Sequence, residues 1–350
     1  MNQSLNIKSF GCVPNGPDNV VALRYCAQVA KAQGQPITVP AGEWSYSDII
    51  TLDGVQMIGE GDASVLRSIN PERAAIVLTG NDAGLRGLRL TGPVPSVRLS
   101  NLEAHRVVAR KASMFSIDDL LIDSSAASSI FVYQSVNGSV LRNRVIGQSV
   151  DPAFTSLRAD GIHITGQSSG ISVHKNYVRR TSDDCIACVS YQGDGGMTTN
   201  LIIQDNDVGD TNWGRGISVV GGDTVLIENN ILYNVRAAAG FYFVQEDSYK
   251  TYGAHKVIAI NNTLHNCGDP AKGHYAVLVY SSTFEHCSDI TLTRNLIVQD
   301  IVNGGINIRD NVDRVLLDQN VIIASPPMKL SIAPAPTVKA YADGPVGVHS

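Results

Sequence analysis

The sequence is poor in the residues that mark several large classes of protein. Aromatic residues make up 6% and charged residues 17% of the 350 positions, and the net charge is −5. Because such a chain offers no basic stripe to neutralise phosphates, we expect no nucleic-acid partner. No apolar run approaches the roughly 18 residues of a membrane-spanning helix, so we expect no membrane partner. The first residues, MNQSLNIKSFG, lack the basic and apolar regions of a secretory signal.

Cysteine is also scarce, with six residues scattered over the chain. So few thiols cannot form a disulfide framework in a chain of this length, and we expect them to be buried and free. Cys185 and Cys188 form a C-x-x-C pair, but a strand follows it instead of a helix, which makes zinc or redox chemistry the weaker alternative. We expect neither a metal nor a cofactor.

Glycine, asparagine, valine and isoleucine are plentiful, which favours short strands joined by tight turns. One segment, apolar-x-apolar-x-x-Asn-x-apolar, recurs along the chain, as in VLRNRVIG and ISVHKNYV. The earlier FSIDDLLI puts Asp119 in the place of the asparagine. Asparagine tolerates a left-handed backbone and can hydrogen-bond along a stack, so it is typical of a repeated turn. The repeated asparagines lie 24 to 33 positions apart: Asn143, Asn176, Asn206, Asn230, Asn262, Asn295 and Asn320.

A second alternating segment lies between these repeats, as in GIHIT from Gly161 and GISVV from Gly216. Each repeat thus holds at least two short strands, which cannot bury an apolar face unless the repeats stack. Stacking about ten coils at about 4.8 Å gives a rod roughly 50 Å long. The sequence therefore predicts an all-β fold, a single-stranded parallel β-helix. Its irregular period argues against a propeller, and its period-two alternation against a helical solenoid.

The two ends of the chain depart from the repeat. An apolar helical pattern begins after Asp18, a plausible N-cap, and ends at Gly34. Together with the FGC and VPAG segments it resembles the opening of pectin-lyase-like β-helix proteins and phage tailspikes, where a helix caps the solenoid. We therefore predict a capping segment over 1–45, a β-helix over 46–325, and a proline-rich tail or cap over 326–350.

Aligning the second strands coil by coil separates inward from outward side chains. The residues predicted to point inward are Ile162, Ile164, Ile186, Cys188, Ile217, Val219, Phe241, Phe243, Ile306 and Ile308. Asp160, Asp184 and Arg215 would fall inside under strict alternation, where an unpaired charge is too costly, so we place them on the turn before each strand. We expect Gly161 and Gly216 to relax the backbone there. The predicted outward column contains His163, Ala187, Ser218, Tyr242, Leu278 and Asn307.

Stacking then brings acidic residues from successive coils into one row. Asp160, the adjacent pair Asp183 and Asp184, and Arg215 should lie about 5 Å apart from coil to coil. Glycoside cleavage needs two such carboxyl groups, one to protonate the leaving oxygen and one to activate water or attack the sugar. Mutual repulsion raises the pKa of one member, which keeps a proton available near neutral pH.

The row also resembles the polygalacturonase-type glycoside hydrolases, which are inverting enzymes on a right-handed β-helix. Their motifs Asn-Thr-Asp, Gly-Asp-Asp and Gly-His-Gly correspond here to Arg158-Ala159-Asp160, Ser182-Asp183-Asp184 and Gly214-Arg215-Gly216. The resemblance implies that Asp183 is the general acid and that Asp160 and Asp184 activate water. Arg215 replaces the family's histidine and the basic pair that binds a uronate is missing, so plain galacturonan is not the expected substrate. Similar motifs occur in bacterial α-1,3-glucanase-like and tailspike β-helices.

Further side chains are candidates for binding the substrate. Trp213 can stack on a sugar ring, and Glu246, which extends the same face one coil further, is a reserve candidate for the acid. An acidic sugar could be held by an arginine. The full set of predicted substrate-binding residues is Arg215, His163, Tyr242, Trp213, Arg158, Glu246 and Arg309.

We therefore predict a polysaccharide-degrading glycoside hydrolase that acts on a complex or acidic glycan held in a groove of the solenoid. A lyase or epimerase is one alternative, with His163, Tyr242 or Lys250 removing a proton while Arg215 neutralises a uronate. A non-catalytic glycan-binding or tailspike module, with a homotrimer as the candidate assembly, is another. The aspartates could also be structural turns or calcium ligands. The expected location is extracellular or virion-associated.

Overall fold

The chain forms a stack of coils built from parallel strands. The computed structural model describes residues 4–151, 153–211, 213–299, 304–324, 331–332 and 338–339. Successive coils pair strand on strand in parallel, and the strands form one 11-stranded sheet and one 21-stranded sheet. This confirms the predicted all-β parallel β-helix, and the 11 strands of the first sheet agree with about ten coils.

Three ribbons of stacked strands make up these two sheets. The first ribbon, the 11-stranded sheet, consists of Ile50–Asp53, Ile76–Asn81, Val107–Ser113, Ile130–Tyr133, Ile162–Thr165, Ile186–Val189, Ile217–Val220, Phe241–Gln245, Val277–Ser281, Ile306–Ile308 and Ser331–Ile332. The second ribbon consists of Leu5–Asn6, Ile37–Val39, Gln56–Ser68, Gly84–Thr91, Ser116–Ile122, Ser139–Leu141, Ser172–His174, Thr198–Gln204, Gly222–Glu228, His255–Ile260, Cys287–Thr293, Val312–Asp318 and Val338–Lys339. The third ribbon consists of Gly42–Tyr46, the C-terminal parts of the three long strands Gln56–Ser68, Gly84–Thr91 and Ser116–Ile122, which continue from the second ribbon, and then Arg144–Ile146, Tyr177–Arg179, Asp207–Gly209, Ile231–Tyr233, Thr263–His265, Leu296–Gln299 and Val321–Ala324.

An α-helix, Val20–Gln33, lies at the N-terminal end of the stack. Its N-cap is Asn19, not Asp18 as the sequence predicted, although the Asp18 carboxylate still accepts the amide of Val20 at 3.0 Å. Gly34 ends the helix with a φ of 61°, as expected for a left-handed cap. The buried face of the helix joins the core through Val20, Leu23, Cys26, Ala27 and Ala30. Short 3₁₀ helices span Ile7–Phe10, Pro71–Arg73, Leu102–Ala104, Gln192–Asp194, Asp247–Tyr249 and Pro270–Lys272.

The interior of the coils is apolar and continuous. In the first ribbon the predicted inward residues are buried, and the rings of Phe241 and Phe243 stack with centroids 5.5 Å apart. Pairing also confirms that the predicted column shares one register, because His163 pairs with Ala187, Ala187 with Ser218, and Ser218 with Tyr242. The side chains of this column are nevertheless buried, and its apolar members belong to a cluster separate from the main core. Because these partners share one register, a side chain on one coil lies directly over its counterpart on the next.

The corner between the second and third ribbons is the most regular part of the coil. Two residues link the two strands, as Arg142 and Asn143 do between Ser139–Leu141 and Arg144–Ile146. The asparagine side chains form a buried ladder in which each Nδ2 donates to Oδ1 of the next asparagine at 2.9 to 3.0 Å. The ladder confirms that the repeated asparagine hydrogen-bonds along the stack.

The left-handed backbone lies one residue earlier than the repeat suggested. The residue before each ladder asparagine has a positive φ, as in Arg142 at 54° and Lys175 at 57°. Asp119 has a φ of 52° and takes this left-handed position, so its predicted place in the asparagine slot is wrong. Leu120 occupies that slot, and its amide donates to Asn143 Oδ1 at 3.0 Å.

The predicted division into three segments stays a prediction. Strands Leu5–Asn6, Ile37–Val39 and Gly42–Tyr46 of the capping segment already pair with the coil stack. Most of the predicted tail, 326–350, lies outside the described residues. Among the residues described, no helix has both the length and the hydropathy to cross a membrane. All six cysteines are buried and free, as expected.

Candidate active site

The first ribbon positions the acidic row. Ile162 pairs with Ile186, and Ile186 with Ile217. Asp160, Asp184 and Arg215 each lie two residues before one of these strands, so the same register stacks all three on consecutive coils. The predicted row is therefore present, and its charged residues occupy the turn before each strand as expected.

Hydrogen bonds to the backbone lock this row in place. Asp160 Oδ1 accepts the amide of Asp184 at 3.0 Å, and Asp184 Oδ1 accepts the amide of Arg215 at 2.8 Å. Ser218, one coil away, donates its hydroxyl to Asp184 Oδ2 at 2.5 Å. Both aspartates are buried, and backbone donors of this kind stabilise a buried carboxylate.

Glycines allow the coils to approach closely beside the acidic row because they lack a Cβ, and not because they relax the backbone as predicted. Gly161 and Gly216 do not have positive φ angles, so they do not relax the backbone in the sense expected. A Cβ on Gly161 would lie 2.6 Å from the carbonyl oxygen of Cys185. A Cβ on Gly214 would lie 2.1 Å from the carbonyl carbon of Asp183, so only glycine lets this turn rest against the aspartate pair.

Asp183 completes a cluster of three carboxyl groups. One oxygen from each of Asp160, Asp183 and Asp184 lies within 4.8 Å of the other two. Burial, followed by the charges of Asp160 and Asp184, raises the pKa of Asp183 to about 7, although Arg98 and Arg215 oppose this. Asp183 is therefore the member of the cluster that holds a proton near neutral pH.

Asp160 has the opposite electrostatic behaviour. Burial would raise its pKa, but a hydrogen bond from His163 and the nearby Arg98 hold the pKa below its usual value. His163 Nδ1 lies 2.8 Å from Asp160 Oδ2. The imidazole is 7% exposed and stacks on Phe131, which in turn stacks on His105. The sequence placed His163 in the groove beside Asp160, and the structure shows it there as a mostly buried partner of that carboxylate.

Arg98 is a site residue that the sequence did not reveal. It lies on the segment between strands Gly84–Thr91 and Val107–Ser113, outside the repeat pattern. Its Nη1 lies 2.5 Å from Asp183 Oδ2, and its Nη2 lies 3.9 Å from Asp160 Oδ2. No periodic signal marks this arginine, because the segment that carries it is an insertion between coils.

Arg215 joins the acidic cluster to the next coil. Its guanidinium contacts Asp184 at 3.4 Å, Glu246 at 3.0 Å and Asp183 at 3.8 Å. It also lies over the ring of Tyr242, 4.3 Å from the centroid, while the Tyr242 hydroxyl donates to Glu246 at 2.8 Å. The predicted residues Arg215, Tyr242 and Glu246 thus form one connected group beside the three carboxyl groups.

A cleft of about 360 Å³ opens over this cluster. Tyr191, Tyr249 and Thr251 line it in addition to the charged residues. They belong to two loops that meet where the amide of Gln192 donates to the carbonyl of Lys250 at 2.8 Å. Tyr249 is 65% exposed, so its ring is available to a ligand.

Four predicted binding residues are not among those that line this cleft, namely Arg158, Arg309, Trp213 and Tyr242. Arg158 donates through Nε to the carbonyl of Pro95 at 2.9 Å. Arg309 lies over the ring of Tyr280 at 4.7 Å. Trp213 is 62% exposed. A role of these four in binding stays a prediction, although Tyr242 contacts the cleft residues Arg215 and Glu246.

The spacing of the three carboxyl groups is also one that a divalent cation can bridge. However, calcium prefers six to eight oxygen ligands. Here the guanidinium groups of Arg98 and Arg215 already contact the carboxylates and supply the compensating charge. The donor set therefore fits a proton-transfer site better than a metal site.

Comparison with known proteins places the chain among β-helix proteins. The family model described as "Right handed beta helix region" matches residues 75–253. No curated protein matches the sequence significantly. Among solved structures, the catalytic domain of a GH87 α-1,3-glucanase in complex with tetrasaccharides superposes with a TM-score of 0.74 at 17% identity. The match covers 90% of this chain and 58% of that domain, so the chain spans little more than half of it.

Two other neighbours are a surface adhesin and a tailspike protein. The surface protein and adhesin PfbA of Streptococcus pneumoniae has a TM-score of 0.68 at 15% identity, over 92% of this chain and 93% of that chain. The Dettilon tailspike protein has a TM-score of 0.66 at 16% identity, and the match covers 91% of this chain and 66% of the tailspike chain. At these identities the likeness establishes the shared fold and does not transfer an activity.

Proposed function

The chain belongs to the right-handed β-helix family, and we propose that it is a glycoside hydrolase whose cleft carries out general acid and base catalysis. The observation that supports this most directly is the clustering of Asp160, Asp183 and Asp184, with one oxygen of each within 4.8 Å of the others. In this cluster the pKa of Asp183 is raised and the pKa of Asp160 is lowered. Two carboxyl groups with separated pKa values are what acid and base roles require. Asp183 is the proposed general acid, and Asp160 and Asp184 are the proposed activators of water.

The substrate we propose is a complex glycan that is uncharged where it is cleaved. Four carboxyl groups line the cleft against two guanidinium groups. Both cations already have carboxylate partners, since Arg98 contacts Asp183 and Arg215 contacts Asp184 and Glu246. A uronate would have to compete for these cations in a cleft that is already acidic. The charge balance therefore favours a neutral sugar over the acidic sugar that the sequence also allowed.

The same contacts weigh against the lyase or epimerase alternative. Its neutralising residue, Arg215, is held by two carboxylates. One of its candidate bases, Tyr242, is buried beside Glu246, and both effects raise the pKa of its hydroxyl. Another, His163, is only 7% exposed and its ring stacks on Phe131, which limits access of a substrate proton to it. A base must be within hydrogen-bond reach of the proton that it removes.

Reducing-end release from a panel of neutral and acidic polysaccharides, with α-1,3-glucan and galacturonan included, tests the proposal. Asp160→Asn, Asp183→Asn and Asp184→Asn should each lower the rate about 100-fold or more. Asp205→Asn is the matched control, because Asp205 is exposed and its φ of 55° is one that asparagine adopts readily. Products that absorb as unsaturated sugars would indicate a lyase. Unchanged cleavage in all three variants would contradict catalysis at this cluster.

Two further predictions accompany this proposal. An extracellular or virion-associated location is consistent with neighbours that include a surface protein and a tailspike. Association into a homotrimer is checked by light scattering of the purified chain.

A further inference from the structure

We propose that Arg98 is a positioning residue that fixes which oxygen of Asp183 delivers the proton to the leaving group. This inference rests on the proposed function, because it assigns a geometry to the general acid of that same site. It concerns a residue on a loop outside the repeat, which neither the sequence pattern nor the family match singles out.

The loop holds Arg98 firmly against the cleft. The amide of Leu99 donates to the carbonyl of Ala126 at 2.9 Å, and Arg158 Nε donates to the carbonyl of Pro95 at 2.9 Å. Leu99 also packs against a small apolar cluster of Ala104, Ala126 and Ala127. The guanidinium therefore comes from an anchored segment, since Leu99 and Pro95 lie one and three residues from Arg98.

The two oxygens of Asp183 have different surroundings. Oδ2 accepts a hydrogen bond from Arg98 Nη1 at 2.5 Å, and an arginine can only donate. A proton on Oδ2 would therefore compete with an N–H for the same oxygen. Oδ1 has Arg215 Nη1 at 3.8 Å, which is beyond hydrogen-bond distance. When Asp183 is protonated, the proton is thus carried by Oδ1, and Arg98 holds the other oxygen in place.

The proposed step follows from this arrangement. The proton on Oδ1 moves to the glycosidic oxygen while the bond from that oxygen to the anomeric carbon breaks, and the bonding pair stays with the leaving oxygen. Water adds to the anomeric carbon and gives its proton to Asp160 or Asp184. Asp183 ends as a carboxylate, which Arg98 stabilises until the proton is returned.

The charged groups around Asp183 set the expected effect of pH. They are Asp160 on the preceding coil, Asp184 next to Asp183 on the same turn, Arg215 on the next coil and Arg98 on the inserted loop. Arg98 opposes the rise in the pKa of Asp183, so its removal should raise that pKa further. The alkaline limb of the rate profile, which reports loss of the acid's proton, should then move to higher pH.

The test compares Arg98→Met and Arg98→Lys on two substrates. The first is the glycan of the panel that is cleaved best, and the second is a dinitrophenyl glycoside of the same sugar, whose leaving group needs no proton. Arg98→Met should lower kcat on the glycan about 10- to 100-fold with little change in KM, because a displaced catalytic group is costly. On the dinitrophenyl glycoside the loss should be less than about 3-fold, because general acid catalysis contributes little there. Arg98→Lys keeps the positive charge but lacks the planar guanidinium group, so its kcat on the glycan should lie between those of the parent and of Arg98→Met.

Arg89→Met is the matched control. Arg89 is 43% exposed, close to the 49% of Arg98, and pairs with Asp123 at 2.6 Å. The Arg89→Met variant should cleave both substrates at the rate of the parent protein. Equal losses of Arg98→Met on the two substrates, or no loss on the glycan, would overturn the inference. Asp183→Asn keeps the two proposals distinguishable, because the hydrolase proposal requires this variant to lose glycan cleavage whether or not Arg98 positions the acid.

Discussion

Asp160 accepts the backbone amide of Asp184 at 3.0 Å, although the two residues are 24 positions apart in the chain. The carboxylate therefore has two tasks, since it fixes the stacking of two coils and belongs to the proposed catalytic cluster. The two tasks can be separated by substitution, because an asparagine side chain keeps the accepting oxygen and loses the charge.

We predict that Asp160→Asn and Asp160→Ala differ in stability although both lose activity. Asp160→Ala leaves the amide of Asp184 without its partner, which costs about 1 to 3 kcal/mol of unfolding free energy for a buried donor. Asp160→Asn keeps an acceptor and should stay within about 1 kcal/mol of the parent protein. Urea denaturation measures both values. Equal stability of the two variants would show that this hydrogen bond does not hold the coils together.

The raised pKa of Asp183 predicts a specific dependence of stability on pH. The folded protein binds the proton up to about pH 7, whereas an unfolded aspartate loses it near pH 4. Between these values the folded state binds more protons than the unfolded state, so this group lowers stability as the pH rises. Asp183→Asn should therefore be more stable than the parent at pH 8, by on the order of 2 kcal/mol, and about equal to it at pH 4. Thermal unfolding at both pH values measures the difference, and a stabilisation independent of pH would contradict the assignment.

Substitution of a ladder asparagine should be most destabilising in the middle of the ladder. Asn206→Ala removes the acceptor for the amide and side chain of Asn176 and the donor to the carbonyl of Val173. With several buried groups left unpaired, we expect a loss of about 2 to 4 kcal/mol. Asn143→Ala, at the end next to Leu120, removes the acceptor for only one backbone amide and should cost about 1 kcal/mol less. Chemical denaturation of the two variants provides the comparison.

Tyr249 is predicted to contribute to substrate binding and not to the chemical step. Its exposed ring lines the cleft and offers an apolar face to a sugar. Tyr249→Ala should raise KM about 2- to 10-fold with kcat unchanged, whereas Tyr249→Phe should behave like the parent. Tyr25→Ala on the capping helix, where the ring is 57% exposed, is the control. A fall in kcat at constant KM would assign Tyr249 a different role.

The sequence predicted the coil stack and the acidic row because both depend on periodic positions. The asparagine repeat set the register, and the register alone brings Asp160, Asp184 and Arg215 together. The placement of Asp119 failed by one residue, because the apolar pattern does not distinguish the left-handed position from the ladder position when the asparagine is replaced by Leu120.

The inserted loops could not be predicted in the same way. Arg98 reaches Asp183 across 85 positions of sequence, and its place depends on contacts between loops instead of on the repeat. Likewise, Tyr191 and Tyr249 line the cleft because two loops happen to meet at Gln192 and Lys250. Such contacts leave no periodic trace, so the walls of the cleft become known only from the structure.

The two-residue corner that carries the asparagine ladder keeps the length of each coil constant on one side of the rod, and insertions occur on the sides that flank the first ribbon. The loop residues that line the cleft are thereby separate from the corner that sets the register of the coils. A loop transplanted from another β-helix into one of the sides that flank the first ribbon should alter the shape of the cleft. It should leave the register of the strand pairs unchanged. The scaffold is accordingly suited to grafting new specificities by exchanging single loops.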